Sequence, residues 1–370
     1  MYPNGMPESV WQAGLARACR EDAGKERERE GAAPMDDARE PLWAEPLWAE
    51  SLWAGRLGVP SVRRWWRGRL RRRPGRAAAA LMAVLGVLSL SGSALASAPL
   101  GSIRGSAGLA GPVVALGDSY TAGNLVGASP AGSSPFGCLR STRNYGADVA
   151  RALHAASFVD GACNGATTAS MARSERTLFG TNPPQFSYLA RNDSLVMLTL
   201  GGDNLGFTHV LVTCTLLSFI DPWGAPCENH YAGGGTDRLA AAVAAARPGV
   251  AAALRGIHRR APRARVLLLG YPDILPVSGG GCWPVVPIAS GDVGYLRGTE
   301  VRLNRMLASV AAANGATFVD TYRATIGHDV CEPTAIKDIE GLIPTSLAFP
   351  FHPNARGQRV MADRVIAALH

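Results

Sequence analysis

Val113-Val114-Ala115-Leu116-Gly117-Asp118-Ser119-Tyr120 carries an unbroken apolar run straight into a turn. A short β-branched and leucine-containing run with no polar alternation is the mark of a strand covered on both faces. Glycine, aspartate and serine are ordinary turn residues, so the turn alone is a weak signal. Four more such runs follow, at Ser157–Asp160, Leu195–Leu200, Val266–Gly270 and Thr317–Asp320. Between and after them lie helical stretches, Asn144–His154, Asp237–Arg259, Val293–Asn314 and Asn354–Leu369. The alternation predicts a three-layer α/β domain with a five-stranded parallel sheet and helices on both faces. Ligands of such sheets bind beyond the carboxyl ends of the strands. The turn holding Ser119 follows the first predicted strand, and Gly201-Gly202-Asp203-Asn204 follows the third, so both loops fall on that edge.

Outside this region the chain changes character. Residues 1–61 are rich in charge and alanine, with Glu40-Pro41-Leu42-Trp43-Ala44 recurring nearly unchanged at Glu45 and Glu50. A repeat of that length cannot bury a core, and residues 1–61 are read as a disordered or untranslated leader. Residues 62–98 read as a signal peptide: Arg63-Arg64-Trp65-Trp66-Arg67 and further arginines, the apolar stretch Ala77–Leu90, and the small-residue site Ala94-Leu95-Ala96-Ser97-Ala98. A translation start near Val62 would place that signal at an N-terminus. Residues 99–370 are then one exported domain. An uncleaved membrane anchor is the rival reading, for which the apolar core is short.

The formal charge of +8 is half a property of the leader: residues 1–98 hold 15 of the 37 Lys and Arg and 11 of the 29 Asp and Glu. The remaining 22 and 18 give +4 with no basic run, which argues against nucleic acid as a partner. Behind the export signal stand Cys138, Cys163, Cys214, Cys227, Cys282 and Cys331. An even count in an exported chain reads as disulfides, though spacing alone does not choose the connectivity. Pairing of sequence neighbours would close loops contributing about 3–4 kcal/mol each in the chain-entropy picture. No two of these cysteines lie at the short spacing of a zinc site, and no phosphate-cradling glycine loop or other cofactor motif is present, so no metal or cofactor is expected.

Ser119 in a strand-end turn and His352, in His352-Pro353-Asn354 at the start of the last helical stretch, are a nucleophile and a base in compatible order. Between them lie Cys163-Asn164-Gly165-Ala166 and Gly201-Gly202-Asp203-Asn204. With these four blocks, residues 112–370 resemble the SGNH, or GDSL-type, hydrolases, and within them the secreted bacterial esterase and lipase branch with three disulfides. The resemblance implies an SGNH/flavodoxin-like sheet and a cofactor-free carboxylic ester hydrolase. Ser119 would attack the ester, His352 would act as general base and acid, and the oxyanion would be held by the Ser119 and Gly165 N–H groups and a side-chain amide.

Two blocks depart from the family pattern. The family places Asp three residues before the histidine, where this chain has Phe349. By analogy with part of the disulfide-bearing branch, the Phe349 carbonyl would accept the Nδ1 proton of His352; Asp338 or Asp329 folding into place is the alternative. The third block exchanges its two polar residues, so Asp203 holds the asparagine position and Asn204 the chemically suitable amide. An ordinary imidazole base predicts a rate that rises with pH through about 6–7. The segments 211–235 and 277–290 lack periodicity and are expected to form walls of a substrate cleft.

The expected partner is a small-molecule or lipid ester, with transient contact to a lipid surface, the protein acting as an extracellular monomer. Two rival readings are a carbohydrate O-deacetylase on the same residues and a non-catalytic surface-binding module that kept the fold.

Overall fold

In the computed structural model of the chain, the described residues are 111–133 and 135–370; the predicted leader and signal peptide lie outside them. The five apolar runs form strands β1 (Val113–Gly117), β2 (Phe158–Asp160), β5 (Leu195–Thr199), β6 (Arg265–Leu269) and β7 (Thr317–Val319). They build one parallel sheet in the order β2-β1-β5-β6-β7. Every residue of β1 and β5 is buried, as a central strand with helices on both faces requires. The three-residue edge strands β2 and β7 are partly exposed. A separate antiparallel hairpin, β3 (Glu175–Thr177) with β4 (Gly180–Asn182), follows β2.

The helices are α1 (Ser119–Ala122), α2 (Tyr145–Ala152), α3 (Phe207–Ser218), α4 (Pro226–Ala232), α5 (Arg238–Arg260), α6 (Val293–Ala313), α7 (Tyr322–Thr325) and α8 (Ala355–Leu369). Helices α2 and α8 pack together on one face of the sheet, α5 and α6 on the other. The observed sheet is thus the predicted three-layer α/β architecture. Side-chain oxygens start several helices: Asn144 caps α2, Asp237 caps α5 and Asn354 caps α8. Among the described residues no helix is long and apolar enough to cross a membrane.

Helices α3 and α4 occupy the segment expected to be irregular. Phe207, Val210, Leu211, Val212, Leu216 and Leu217 surround α3 on all sides, so no single apolar face marks its period. The segment 277–290 is irregular as expected, but Val286 and Ile288 pack into the main core. Disulfides join Cys138 to Cys163, Cys214 to Cys227 and Cys282 to Cys331. The second ties α3 to α4, and the first ties the loop before α2 to the one after β2.

Candidate active site

Ser119 is the first residue of α1, directly after β1, and the Asp118 side chain caps that helix by accepting the Tyr120 N–H at 3.1 Å. His352 stands three residues before α8. Its Nδ1 faces the Pro350 carbonyl at 2.7 Å. A carbonyl can only accept, so the proton sits on Nδ1 and the Nε2 lone pair is turned outward. Nε2 meets Ser119 Oγ at 2.7 Å. The rings of Tyr120 and Phe349 enclose the imidazole, at 4.6 and 5.3 Å between centroids. The Tyr120 hydroxyl donates to the Phe351 carbonyl at 2.7 Å, which joins the serine turn to the histidine loop.

The carbonyl that orients the ring is therefore that of Pro350 and not of Phe349. Phe349 O accepts the main-chain N–H of His352 at 3.1 Å, and Phe351, at φ 59°, turns the Pro350 carbonyl onto the ring instead. Neither alternative carboxylate approaches the imidazole. Asp338 pairs with Arg356 at 3.3 Å and lies 3.9 Å from His328, and Asp329 accepts the Cys331 N–H at 2.9 Å. Burial lowers the His352 pKa to about 4, the Pro350 carbonyl opposing it only in part. The rate limb expected at pH 6–7 belongs to a solvated imidazole and moves down with this burial.

On the other side of Ser119 lie the second and third blocks. Gly165 has φ 82°, a left-handed conformation that favours glycine. Its N–H donates to no group among the described residues, and the Ser119 N–H, in the first turn of α1, has no intrahelical acceptor. Asn204 is occupied: Oδ1 accepts the Thr168 N–H and Nδ2 donates to Thr168 Oγ1, each at 3.0 Å. Asp203 lines a cavity with Ser119. Burial first, then the carboxyls of Asp118 and Glu175, hold the Asp203 pKa well above the ordinary carboxylate range.

That cavity contains about 760 Å³ of space, open solvent included, and Phe207, Val210, Leu211, Leu275, Leu296 and Leu303 are among its walls. Helix α3 supplies one wall through Phe207, Val210 and Leu211, of which only Leu211 belongs to the segment 211–235 expected there; the other expected wall, 277–290, does not reach the cavity. Glu300 also lies on the wall, its pKa raised by burial and by Asp273.

The model of the GDSL-like Lipase/Acylhydrolase family matches residues 115–360. The chain belongs to this family. Lipase 2 of Streptomyces coelicolor is 37% identical over 259 residues, covering 69% of this chain and 85% of that protein. Phospholipase A1 from Streptomyces albidoflavus NA297 has a similar crystal structure, with TM-score 0.57 and 28% identity over 70% of this chain and 99% of that one. The extracellular lipase of Streptomyces rimosus gives 0.53 and 27%, covering 70% of this chain and all of that one. The protein is a carboxylic ester hydrolase of the esterase and lipase kind.

Two polar residues of this GDSL-like hydrolase were not found from the sequence. The Tyr271 hydroxyl donates to Asp118 Oδ2 and accepts the Gly202 N–H at 2.7 Å, so it bridges the first and third blocks. It follows β6 by two residues, and its position at a strand's carboxyl end was the available signal. Glu175, on β3, brings Oε1 to 3.9 Å from where a side-chain carbon on Gly165 would stand. Nothing in its surroundings in the sequence marked it.

Proposed function

We propose that this chain is a secreted serine esterase or lipase that hydrolyses acyl esters through a Ser119 acyl-enzyme, with His352 as general base and acid. The observation that carries the reading is the Ser119 Oγ–His352 Nε2 contact of 2.7 Å on the wall of an apolar cavity. In the first half-reaction Ser119 Oγ attacks the acyl carbon while Nε2 takes its proton. The tetrahedral oxyanion is held by the Ser119 and Gly165 N–H groups. Collapse breaks the bond to the alcohol oxygen, which leaves with the proton from Nε2. Water then repeats the sequence on the acyl-enzyme, releasing the acid and restoring Ser119. The Pro350 carbonyl keeps the imidazole in the reactive tautomer throughout.

Secretion is supported by the basic, apolar and small-residue succession in residues 62–98 and by three disulfides in the domain that follows. The apolar walls favour an acyl chain over an acetyl group carried on a polar sugar; this sets carbohydrate O-deacetylation second. Exposed apolar side chains on the flanking segments, Phe136 and Phe179 with rings 5.8 Å apart and Ile343 and Leu347 before His352, suit transient contact with a lipid surface. The test is p-nitrophenyl ester turnover, acetate to palmitate, by the domain from residue 99 onward. Turnover that peaks beyond acetate and vanishes in Ser119→Ala is expected; turnover that survives Ser119→Ala refutes the mechanism, and acetate-only turnover favours the deacetylase.

A further inference from the structure

We propose that Asp203 serves as a neutral carboxylic acid that donates a hydrogen bond to the oxyanion, at the position where the family pattern holds an asparagine amide. The inference rests on the ester-hydrolase reading above and supplies its third oxyanion donor.

The adjacent amide is committed elsewhere. Both ends of the Asn204 side chain are bonded to Thr168, and Thr168 is itself wedged against helix α5, where a side-chain carbon on Gly249 would come within 2.4 Å of Thr168 Oγ1. Turning Asn204 toward Ser119 would break two hydrogen bonds. Asp203 is the residue of the pair that lines the cavity with Ser119, and its carboxyl makes no hydrogen bond to any described residue. Asp203 is half-buried on an apolar wall; a carboxylate there with no protein donor is costly, whereas a carboxylic acid brings its own proton to share.

The neighbours decide which carboxyl keeps that proton. Asp118 accepts from the Tyr120 N–H at 3.1 Å, from Thr199 Oγ1 at 2.5 Å and from the Tyr271 hydroxyl. Three donors stabilise negative charge on Asp118, and none reaches Asp203, so of the two the proton stays with Asp203. The titratable groups that face Asp203 are Asp118 after β1, Tyr120 on α1, Tyr271 after β6 and Glu175 on β3. None of these four is a cation. Glu175 Oε2 is buried without a hydrogen-bond partner, so this group too adds negative potential when ionised. His352, across Ser119, is neutral in the active form. A carboxylic acid kept neutral by apolar and acidic surroundings is a competent oxyanion donor.

Ionisation of Asp203 would replace a donor by a charge that repels the oxyanion. Activity then needs His352 neutral and Asp203 protonated, which gives a bell-shaped profile whose alkaline limb belongs to Asp203. An amide at this position does not titrate. The experiment measures kcat/KM for a p-nitrophenyl ester against pH in the wild type, Asp203→Asn and Asp203→Ala, with infrared difference spectra of wild type against Asp203→Asn at pH 7. Expected are an alkaline limb in the wild type that is absent from Asp203→Asn, so that the variant gains on the wild type by about tenfold per pH unit above the limb. Asp203→Ala should lose roughly 10²–10³ in kcat. The infrared difference should show one neutral-carboxyl band lost in the variant. A carboxylate band lost in its place, or the same alkaline limb in Asp203→Asn, would overturn the role of Asp203. Loss of the neutral-carboxyl band in a protein whose turnover survives Ser119→Ala would instead uphold the protonated Asp203 and refute the serine mechanism.

Discussion

The Tyr271 hydroxyl donates to Asp118, the residue preceding Ser119, and the two are 153 positions apart in the chain. The same oxygen accepts the Gly202 N–H, next to Asp203. One side chain thus sets the spacing between the serine turn and the loop of the third block, from the loop that follows β6.

Tyr271→Phe keeps the ring in its packing and removes only this bridge. It leaves Gly202 N–H and one oxygen of Asp118 without their partner in a buried site. The loss in stability should be about 2 kcal/mol, and kcat should fall by roughly tenfold or more with KM little changed. Chemical denaturation and steady-state kinetics check both, and wild-type kcat in the variant would make the bridge structural only.

The acid side of the pH profile follows from His352. In the proposed mechanism His352 must be neutral to act as base, and burial holds its pKa at about 4. Activity should therefore persist through pH 5 and be lost as pH falls through about 4. Stability obeys the same linkage. The unfolded chain protonates this imidazole near 6.5 while the folded chain resists until about 4. Between these values the unfolded state binds more protons, so stability decreases by roughly 3 kcal/mol as pH falls from 6.5 to 4. His352→Gln should flatten that decrease in denaturation curves taken across the interval.

A backbone carbonyl in place of the triad carboxylate makes a sharp statement about Asp338 and Asp329. A carboxylate that orients a catalytic imidazole is worth roughly 10⁴ in kcat. Asp338→Asn and Asp329→Asn should each change kcat by less than about tenfold, since their partners are Arg356 and His328 in one case and the Cys331 N–H in the other. A loss of about a thousandfold at either position would return that residue to the triad.

What was legible in the sequence, and what was not, divides by the range of the interaction involved. The central strands could be read because a strand covered on both faces is apolar without interruption, and Val113–Leu116 and Leu195–Leu200 match β1 and β5 to within a residue. Capped amphipathic helices such as α5 could be read for the equivalent reason. Helix α3 could not, because apolar residues all round it erase the periodicity. At the site, the order of Ser119 and His352 along the chain was visible. Which carbonyl meets the imidazole depends on the positive φ of Phe351, a single torsion that no motif encodes. Asn204 is held by Thr168, 36 residues away from it, a contact that no local spacing in the sequence announces, and Tyr271 and Glu175 reach the site only through the fold.

The disulfide between Cys138 and Cys163 lies two residues before Gly165, in a small buried cluster with Ala166. Replacing both cysteines by Ser should cost about 2–5 kcal/mol and also lower kcat, because the Gly165 N–H loses its tether. Cys282→Ser with Cys331→Ser, which frees the segment 277–290 that lines no part of the cavity, serves as the comparison for stability loss away from the site. Equal kcat losses in the two double variants, measured well below their melting temperatures, would deny the first bridge a special part in positioning Gly165.

Acyl-chain preference should be set by the wall that α3 contributes. Leu211 is half-buried and faces the cavity together with Val210 and Phe207. Leu211→Trp fills space that an extended acyl chain would use but an acetyl group would not reach. Each methylene denied burial forfeits about 0.8 kcal/mol, so exclusion of two methylenes amounts to a little over tenfold in kcat/KM. The ratio of palmitate to acetate turnover should fall by at least about that factor, while acetate turnover is retained. Ile220→Trp makes the parallel change on an exposed residue just past the same helix, outside the cavity lining, and should leave the ratio alone. An unchanged ratio in Leu211→Trp would place the acyl chain elsewhere, and an equal fall in Ile220→Trp would trace the preference to the exposed surface around α3 and not to the cavity.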